Sequence, residues 1–399
     1  MPTSILANLR DLPRAFSLSS ILSGLLVIVI GFAASLVIVF QAARNANLSE
    51  AQLSSWVLAI TIGAGIASIV MSLWFRQPVT AAWSTPGVAL LVTSLGSYDF
   101  GEAVAAYIVS ALAIILIGSS GLFGWIMARV PQPVVMGMLA GVLIRFGFGL
   151  FDAIPENAVL VIGMILVYFV MRRINFRAPT VIALIFGLIV AALTNSIHAE
   201  ALTPALATPL WTAPIFTPEA MLGLALPLTA LALTSQNAPG LAVLRNAGYE
   251  LRINGALVVT GLVSLLGAPF GGHGVTLAAI TAALVTGPEA HPDKDKRYSA
   301  GVAAGIWYIV VGIFGATLVN LFTALPHALI AAAAGLGLAN AIMSSLTSSM
   351  SDPKQREGGL IALLCTAANF TLFGIGAPFW GLVFGVLTHG IINWGKREE

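Results

Sequence analysis

Residues Ala268–Thr281 read A-P-F-G-G-H-G-V-T-L-A-A-I-T, and they interrupt a run from Ile253 to Pro288 that contains no Asp, Glu, Lys or Arg. A spanning helix needs ~20 apolar residues, so this run is too long for one crossing and just long enough for two. Between the two sit Pro269, three glycines and one ionisable side chain, His273. Broken backbone at membrane depth is tolerated only where protein buries it or where it lines a cavity. The part from Gly274 to about Thr286 is too short to cross as a helix. It is expected to be a half-helix whose N-terminus, at His273–Gly274, aims free N–H groups into the protein and so favours an anion.

Composition places that stretch in a membrane. The 399 residues are 58% hydrophobic and 9% charged, whereas soluble domains carry roughly 25% charged residues. The chain is therefore an integral, multi-pass membrane protein in contact with lipid. Its net charge of +2 resides in loops and carries no nucleic-acid signal. Arg10 and Arg14 precede an apolar stretch, Ala15–Ala43, that is too long for a signal-peptide core and shows no cleavage pattern, so a retained first helix is expected. Cys365 is the single cysteine, which excludes internal disulfides and cysteine-held metal clusters. No metal and no cofactor is expected.

Charge-free runs place the spans. The first seven are Ser17–Ala43, Ala51–Phe75, a third from Arg76 to Asp99 broken by Pro78, Pro86 and Gly87, Glu102–Ala128, Pro133–Phe151, Asn157–Met171 and Pro179–Ile197. A Pro- and Thr-rich connector, residues 199–218, divides the chain into halves 1–198 and 219–399. The second half follows with Glu219–Leu244, Ile253–Leu266, the broken Gly271–Thr286, Ser299–Phe322, Ala328–Leu346, Gly358–Phe373 and Phe379–Trp394. The total is about fourteen, an all-α fold in two groups of seven. Lys and Arg cluster in loops such as Arg76, Arg129, Arg172, Arg173, Arg177, Lys294–Arg297, Lys354, Lys396 and Arg397. The opposite loops hold Glu50, Asp99, Asp152, Glu156 and Glu200, with Arg44 the exception. Both termini are therefore expected to be cytoplasmic.

An offset of about 190 residues brings like onto like, as an inverted repeat of seven spans would. Pro86–Leu91 falls near Gly272–Leu277, Phe40–Ala43 on Ser235–Ala238, and Pro131–Gly141 near Pro326–Gly335. In folds built this way the paired interrupted segments mark the substrate site.

Four motifs carry a resemblance to a known family. They are Pro78-Val79-Thr80-Ala81-Ala82-Trp83-Ser84-Thr85-Pro86-Gly87, Phe40-Gln41-Ala42-Ala43, Ser235-Gln236-Asn237-Ala238-Pro239-Gly240 and Gly271-Gly272-His273-Gly274. Over essentially its whole length the chain resembles the benzoate:proton symporters (the BenE family) and, more distantly, the uracil/xanthine permease-like superfamily. The resemblance implies a core bundle of spans 1–4 and 8–11, a gate bundle of spans 5–7 and 12–14, and short β-strands in spans 3 and 10 that meet at the substrate. It also implies a bacterial inner-membrane location, proton coupling and frequent homodimers. The nucleobase permeases carry a glutamate in span 8 and another in span 10. Here Gln236 and His273 stand at the matching places, which counts against a nucleobase and for an anion.

No acidic residue lies deep in a span. A carboxylate is expected to meet two half-helix N-termini, near Trp83–Gly87 and His273–Thr276, with no fixed negative charge to repel it. The hydroxyls of Ser84, Thr85 and Thr276 and the amides of Gln41, Gln236 and Asn237 are candidate donors, with Gly87, Gly272 and Gly274 allowing close approach. Trp83 is either a ring platform or a packing wedge. His273 is a candidate carboxylate ligand or proton carrier, since an arriving anion stabilises an imidazolium. The competing role for it is a neutral core histidine. Arg145 either snorkels or pairs with Asp152, or else faces the gate, where Asn340 is the other candidate. A valine at Gly274 is expected to crowd the half-helix tip.

The favoured function is proton-coupled uptake of an aromatic carboxylate such as benzoate; a nucleobase or other anion carrier is the alternative. No HExxH, GxSxG or intramembrane carboxylate pair supports an enzyme. An inverted repeat without charged rings argues against a channel.

Overall fold

The computed structural model describes residues 5–176, 179–197, 204–279 and 281–393. Arg177, Glu200, Lys396, Arg397 and the 198/199 junction lie outside them, as does Ile280 within the interrupted stretch.

The chain opens with an amphipathic helix that the charge-free runs do not reveal, α1 (Ile5–Ala15). Its Leu12 and Ala15 pack against Leu73, Tyr298 and Val302, while Ile5, Leu6 and Leu9 stay exposed. Asn8 donates to the Leu73 carbonyl at 2.7 Å, and Arg76 reaches Asn8 Oδ1 at 2.7 Å and Asp11 at 2.6 Å. Two long helices follow, α2 (Leu18–Asn45) and α3 (Glu50–Phe75), each opened by a reciprocal serine cap, Ser17 with Ser20 and Ser49 with Gln52. Both match their charge-free runs within two residues.

The third span is broken into strand β1 (Ala81–Trp83) and helix α4 (Thr85–Ser94). The expected single fourth span divides at Gly121, which takes φ +73 between α5 (Phe100–Ser120) and α6 (Phe123–Arg129). Then come α7 (Gln132–Asp152), α8 (Ala158–Arg173) and α9 (Pro179–Leu193).

In the second half α10 (Pro218–Asn246) is one helix with two widened turns, Met221–Ala225 and Ala232–Asn237. Pro227 and Pro239 lie just beyond them. Proline has no N–H and its ring clashes with the carbonyl four residues earlier, so the preceding turn opens. After α11 (Ile253–Gly267) come strand β2 (Val275–Leu277) and the one-turn α12 (Ala283–Thr286). The eleventh run forms two helices, α13 (Tyr298–Ile313) and α14 (Gly315–Thr323), bent by 62°. The remaining helices are α15 (His327–Met350), α16 (Arg356–Ala368) and α17 (Ala377–Asn393), with a small hairpin, β3 (Thr371–Leu372) and β4 (Ile375–Gly376), before the last. Among the described residues seven helices are long and apolar enough to cross a membrane alone, eight with the bent pair counted as one span. The fold is thus a mostly helical membrane assembly in which several segments are too short to span alone.

Helices pack in two neighbourhoods. In one, α3 lies on α13 and α11, α11 on α5, and α2 on α13 and α4; in the other, α7 lies on α15 and α16, α16 on α17, and α8 on α9. Small residues set the close approaches, because packing rather than water expulsion drives helix association in lipid. A Cβ on Gly305 would stand 2.6 Å from the Gly65 carbonyl oxygen, and one on Gly65 would meet the Gly305 carbonyl at 2.6 Å.

A leucine at Gly305 therefore forces α3 and α13 apart, and overpacking of this kind costs about 1–3 kcal/mol. Gly305→Leu is expected to lower the thermal unfolding midpoint in detergent well below that of Gly390→Leu, whose Cβ meets nothing within 4 Å. Equal midpoints would contradict the close crossing.

Candidate functional site

The two interrupted spans meet as an antiparallel pair, with Ala81 opposite Leu277, Ala82 opposite Thr276 and Trp83 opposite Val275. The ladder continues at both ends, where the Ala278 N–H donates to the Thr80 carbonyl at 2.9 Å and the Ser84 N–H to the Gly274 carbonyl at 3.1 Å. Such a ribbon leaves backbone groups on its outer edges, and no water in the hydrocarbon can satisfy them. Side chains from neighbouring helices do so instead. Ser68 Oγ of α3 accepts the Ala81 N–H at 2.8 Å, and Ser264 Oγ of α11 accepts the Val275 N–H at 2.8 Å. Asn237 Oδ1, in the second widened turn of α10, accepts the Leu277 N–H at 3.0 Å.

This arrangement corrects the expected pair of helix tips. On the first strand the helix end is real: α4 starts at Ser84, whose Oγ accepts the Gly87 N–H at 3.0 Å. Pro86 has no N–H, and the backbone N–H of Thr85 has no partner among the described residues. On the second, no half-helix begins at His273–Gly274. Gly274 takes φ +130, the chain runs on as a strand, and regular helix resumes only for Ala283–Thr286. Beyond Gly274 the Val275 N–H goes to Ser264, the Leu277 N–H to Asn237 and the Ala278 N–H to the Thr80 carbonyl. A Cβ on Gly274 meets nothing within 4 Å, so what opposes a side chain there is the backbone conformation. The glycine is required by its φ, and it borders open space.

His273 is a clasp. Its Nδ1 accepts the indole N–H of Trp56 on α3 at 2.9 Å, and its Nε2 lies 3.1 Å from the Ser84 carbonyl oxygen. An indole only donates and a carbonyl only accepts, so these two neighbours fix a neutral ring with its proton on Nε2. The ring is buried, lying edge-on to Trp56 at 5.6 Å and to Tyr107 at 6.4 Å. Trp56 is the residue that sequence reasoning missed; it stands in an unbroken apolar helix, 217 positions from its partner.

The other predicted residues divide. Trp83 is buried, edge-on to Phe32 at 5.0 Å and to Tyr308 at 6.1 Å, and its Nε1–H lacks a partner among the described residues. Asn237 Nδ2 is likewise buried and unpartnered. Thr276 lies on β2 with its hydroxyl 3.4 Å from the Ala82 carbonyl; Thr85 and Gln236 are half-buried. A Cβ on Gly87 would meet Ser84 Oγ at 2.9 Å, and one on Gly272 the Gly267 carbonyl at 3.0 Å, so both glycines serve close packing.

Gln41 and Arg145 do not join this crossing. They line a separate cavity beside Val92 and Thr93, at the far end of α4. Arg145 donates to the Ala367 carbonyl at 3.2 Å and forms no ion pair with Asp152. Asn340 is exposed on α15, and no hydrogen bond among the described residues ties it to the crossing. Among the described residues no three His, Cys, Asp or Glu side chains are grouped as metal ligands.

Comparison with known proteins assigns the fold and the family. The family described as "Benzoate membrane transport protein" (BenE) matches residues 14–391. The chain is 39% identical over 384 residues to the benzoate membrane transport protein of Acinetobacter baylyi, covering 96% of this chain and 98% of that one. It is 38% identical over 382 residues to the inner membrane protein YdcO of Escherichia coli, covering 95% and 98%. Among solved structures, the transmembrane domain of a cyanobacterial bicarbonate transporter, BicA, superposes with TM-score 0.58 at 15% identity, covering 95% of this chain and 97% of that one. Murine solute carrier 26 family member A9, an anion transporter in the inward-facing state, gives TM-score 0.58 at 12% identity over 96% and 70%. At such identities these two show a shared fold.

Trp56→Phe keeps the ring and removes the donor, which leaves a buried acceptor unsatisfied at a cost of about 1–3 kcal/mol. The variant is expected to unfold at a lower temperature in detergent than wild type, and His273→Phe combined with it recovers part of the loss. A double variant whose loss equals the sum of the two singles would mean that the clasp contributes nothing.

Proposed function

The chain belongs to the benzoate membrane transport protein family, and on that footing we propose that it imports benzoate, or a close aromatic carboxylate, in symport with protons. Members of this family are membrane transporters, not enzymes, and the relative in Escherichia coli is an inner membrane protein. The proposed location is the bacterial inner membrane, with both termini cytoplasmic. We read about fourteen membrane segments as two inverted groups of seven. The core comprises α2 to α6 and α10 to α14, and the gate comprises α7 to α9 and α15 to α17. Access alternates as the gate moves against the core.

The observation that carries the proposal is the crossing of β1 and β2. It lies among aromatic rings, has one true helix N-terminus beside it, and takes no acidic side chain into any of its hydrogen bonds. A carboxylate beside Ser84–Thr85 gains from that helix end and from the Thr85 N–H. Trp83, Phe32 and Tyr308 provide a wall for a ring. Gln236, Asn237, Thr276 and Gly274 close the proposed site from the second half. His273 links proton to cargo through its clasp. A second proton, on Nδ1, would set two donors against each other at the Trp56 contact and break it. The freed ring then offers an N–H to an anion, and the anion in turn stabilises the added charge. The fold shared with anion transporters favours, as a second reading, a different small anion on the same scaffold; competition of each against benzoate separates the two.

In proteoliposomes, radiolabelled benzoate uptake is expected to rise with an inward proton gradient, to collapse with a protonophore, and to fall at least tenfold in His273→Asn. Uptake indifferent to the gradient would overturn symport. Unimpaired coupling in the variant would remove His273 from the proton path.

A further inference from the structure

The cavity that holds Gln41 and Arg145 is not part of the crossing. Thr93 and Ser84 are nine residues apart on α4, about 13 Å at the helical rise. The cavity has a volume of about 380 Å³ and is lined by Gln41 and Asn45 of α2, Thr93 of α4, Arg145 and Phe146 of α7, and Asn369 just after α16. That volume falls in the range of small-molecule sites, ~300–1,000 Å³. Its walls come from both helix neighbourhoods, so it lies on the seam between them.

Its chemistry is one-sided. Arg145 uses one N–H on the Ala367 carbonyl, and no carboxylate pairs with its charge among the described residues. Gln41 lines the cavity, and its amide makes no hydrogen bond among the described residues, with Oε1 buried. Asn369 caps α16 in the left-handed conformation, with a side-chain amide that also lacks a partner there. Asn45 Nδ2 is spent on the Val92 carbonyl at 3.0 Å and Thr93 Oγ on the Leu90 carbonyl at 2.9 Å. A guanidinium and two amides therefore face one space, with the buried ring of Phe146 as its apolar wall. A fork of N–H donors on a planar cation matches a carboxylate.

We propose that this cavity is a second carboxylate site, a waystation that takes the anion at the mouth between the two helix neighbourhoods before it reaches β1 and β2. It lies at the end of the bundle where the loops carry Asp99 and Asp152 and few lysines or arginines, the end assigned to the outside. An anion approaching that acidic face finds the Arg145 guanidinium without a carboxylate partner among the described residues, and electrostatic capture there raises the local concentration of cargo. The proposal rests on the cargo being a carboxylate.

The test uses the full chain in proteoliposomes, with initial rates measured over a range of external benzoate concentrations, together with equilibrium binding of radiolabelled benzoate in detergent. Arg145→Gln is expected to raise KM about tenfold, the usual scale for losing a charged hydrogen bond, while maximal rate changes less than about twofold. Bound benzoate falls from two per chain to one. Arg145→Lys, which keeps the charge without the fork, recovers part of the KM. Gln41→Ala, which changes no charge and tests the cavity should Arg145→Gln fail to fold, raises KM several-fold. Wild-type uptake with KM and stoichiometry unchanged in both Arg145→Gln and Gln41→Ala overturns the waystation and leaves transport standing. A wild type that neither binds nor transports benzoate overturns the transport proposal and this site with it.

Discussion

Hydrocarbon offers no partner to a peptide group, and that constraint governs the centre of this molecule. Two spans are broken where they cross, so their backbones must be satisfied by each other and by side chains. The ribbon of β1 and β2 does the first. Ser68, Ser264 and Asn237 do the second, each from a different helix. Ser68, Asn237 and Ser264, polar residues inside apolar helices, are thus explained by where the chain is not helical. His273 completes the set by tying the start of α4 to α3 through Trp56. Losing any one of these acceptors leaves an N–H with nowhere to go.

Much of the architecture was legible because charge is so scarce. With 9% charged residues, most Arg and Asp residues mark a helix end, and α2, α3, α7 and α15 begin and end close to where the charge-free runs do. The break near Pro269 was legible from three glycines and a proline in an apolar run. Its form was not. Val275–Leu277 is three residues long, too short for alternation to separate strand from helix, and its partner lies about 190 positions away. The resemblance, not the periodicity, suggested strands there. Gly121 splits a run that contains no charge, and glycine inside a helical pattern is compatible with either outcome.

The site was legible in part, for a related reason. Residues next to the broken backbone, Ser84 through Gly87 and Gly272 through Thr276, announce themselves by composition and do lie together. Gln41 entered the same group because the repeat offset pairs it with Gln236. Helix rise separates them: Gln41 sits beside Val92 and Thr93, two to three turns of α4 beyond Ser84. A repeat offset aligns positions along a chain but says nothing of depth. Trp56 gave no signal at all, since a tryptophan in an apolar helix is ordinary and its hydrogen bond depends on a residue 217 positions away.

The helix before the first span has its own mechanical meaning. α1 is fastened to the end of α3 by Asn8 and by the Asp11–Arg76 pair, and to the start of α13 by the Tyr298 hydroxyl on the Asn8 carbonyl at 3.2 Å. Its Leu6 and Leu9 remain bare, a face suited to lie among lipid headgroups. Any tilt of α3 and α13 would then drag this short oar through the headgroup layer of the bilayer. The speed of the proposed transport cycle would answer to the lipid around the protein as well as to its cargo.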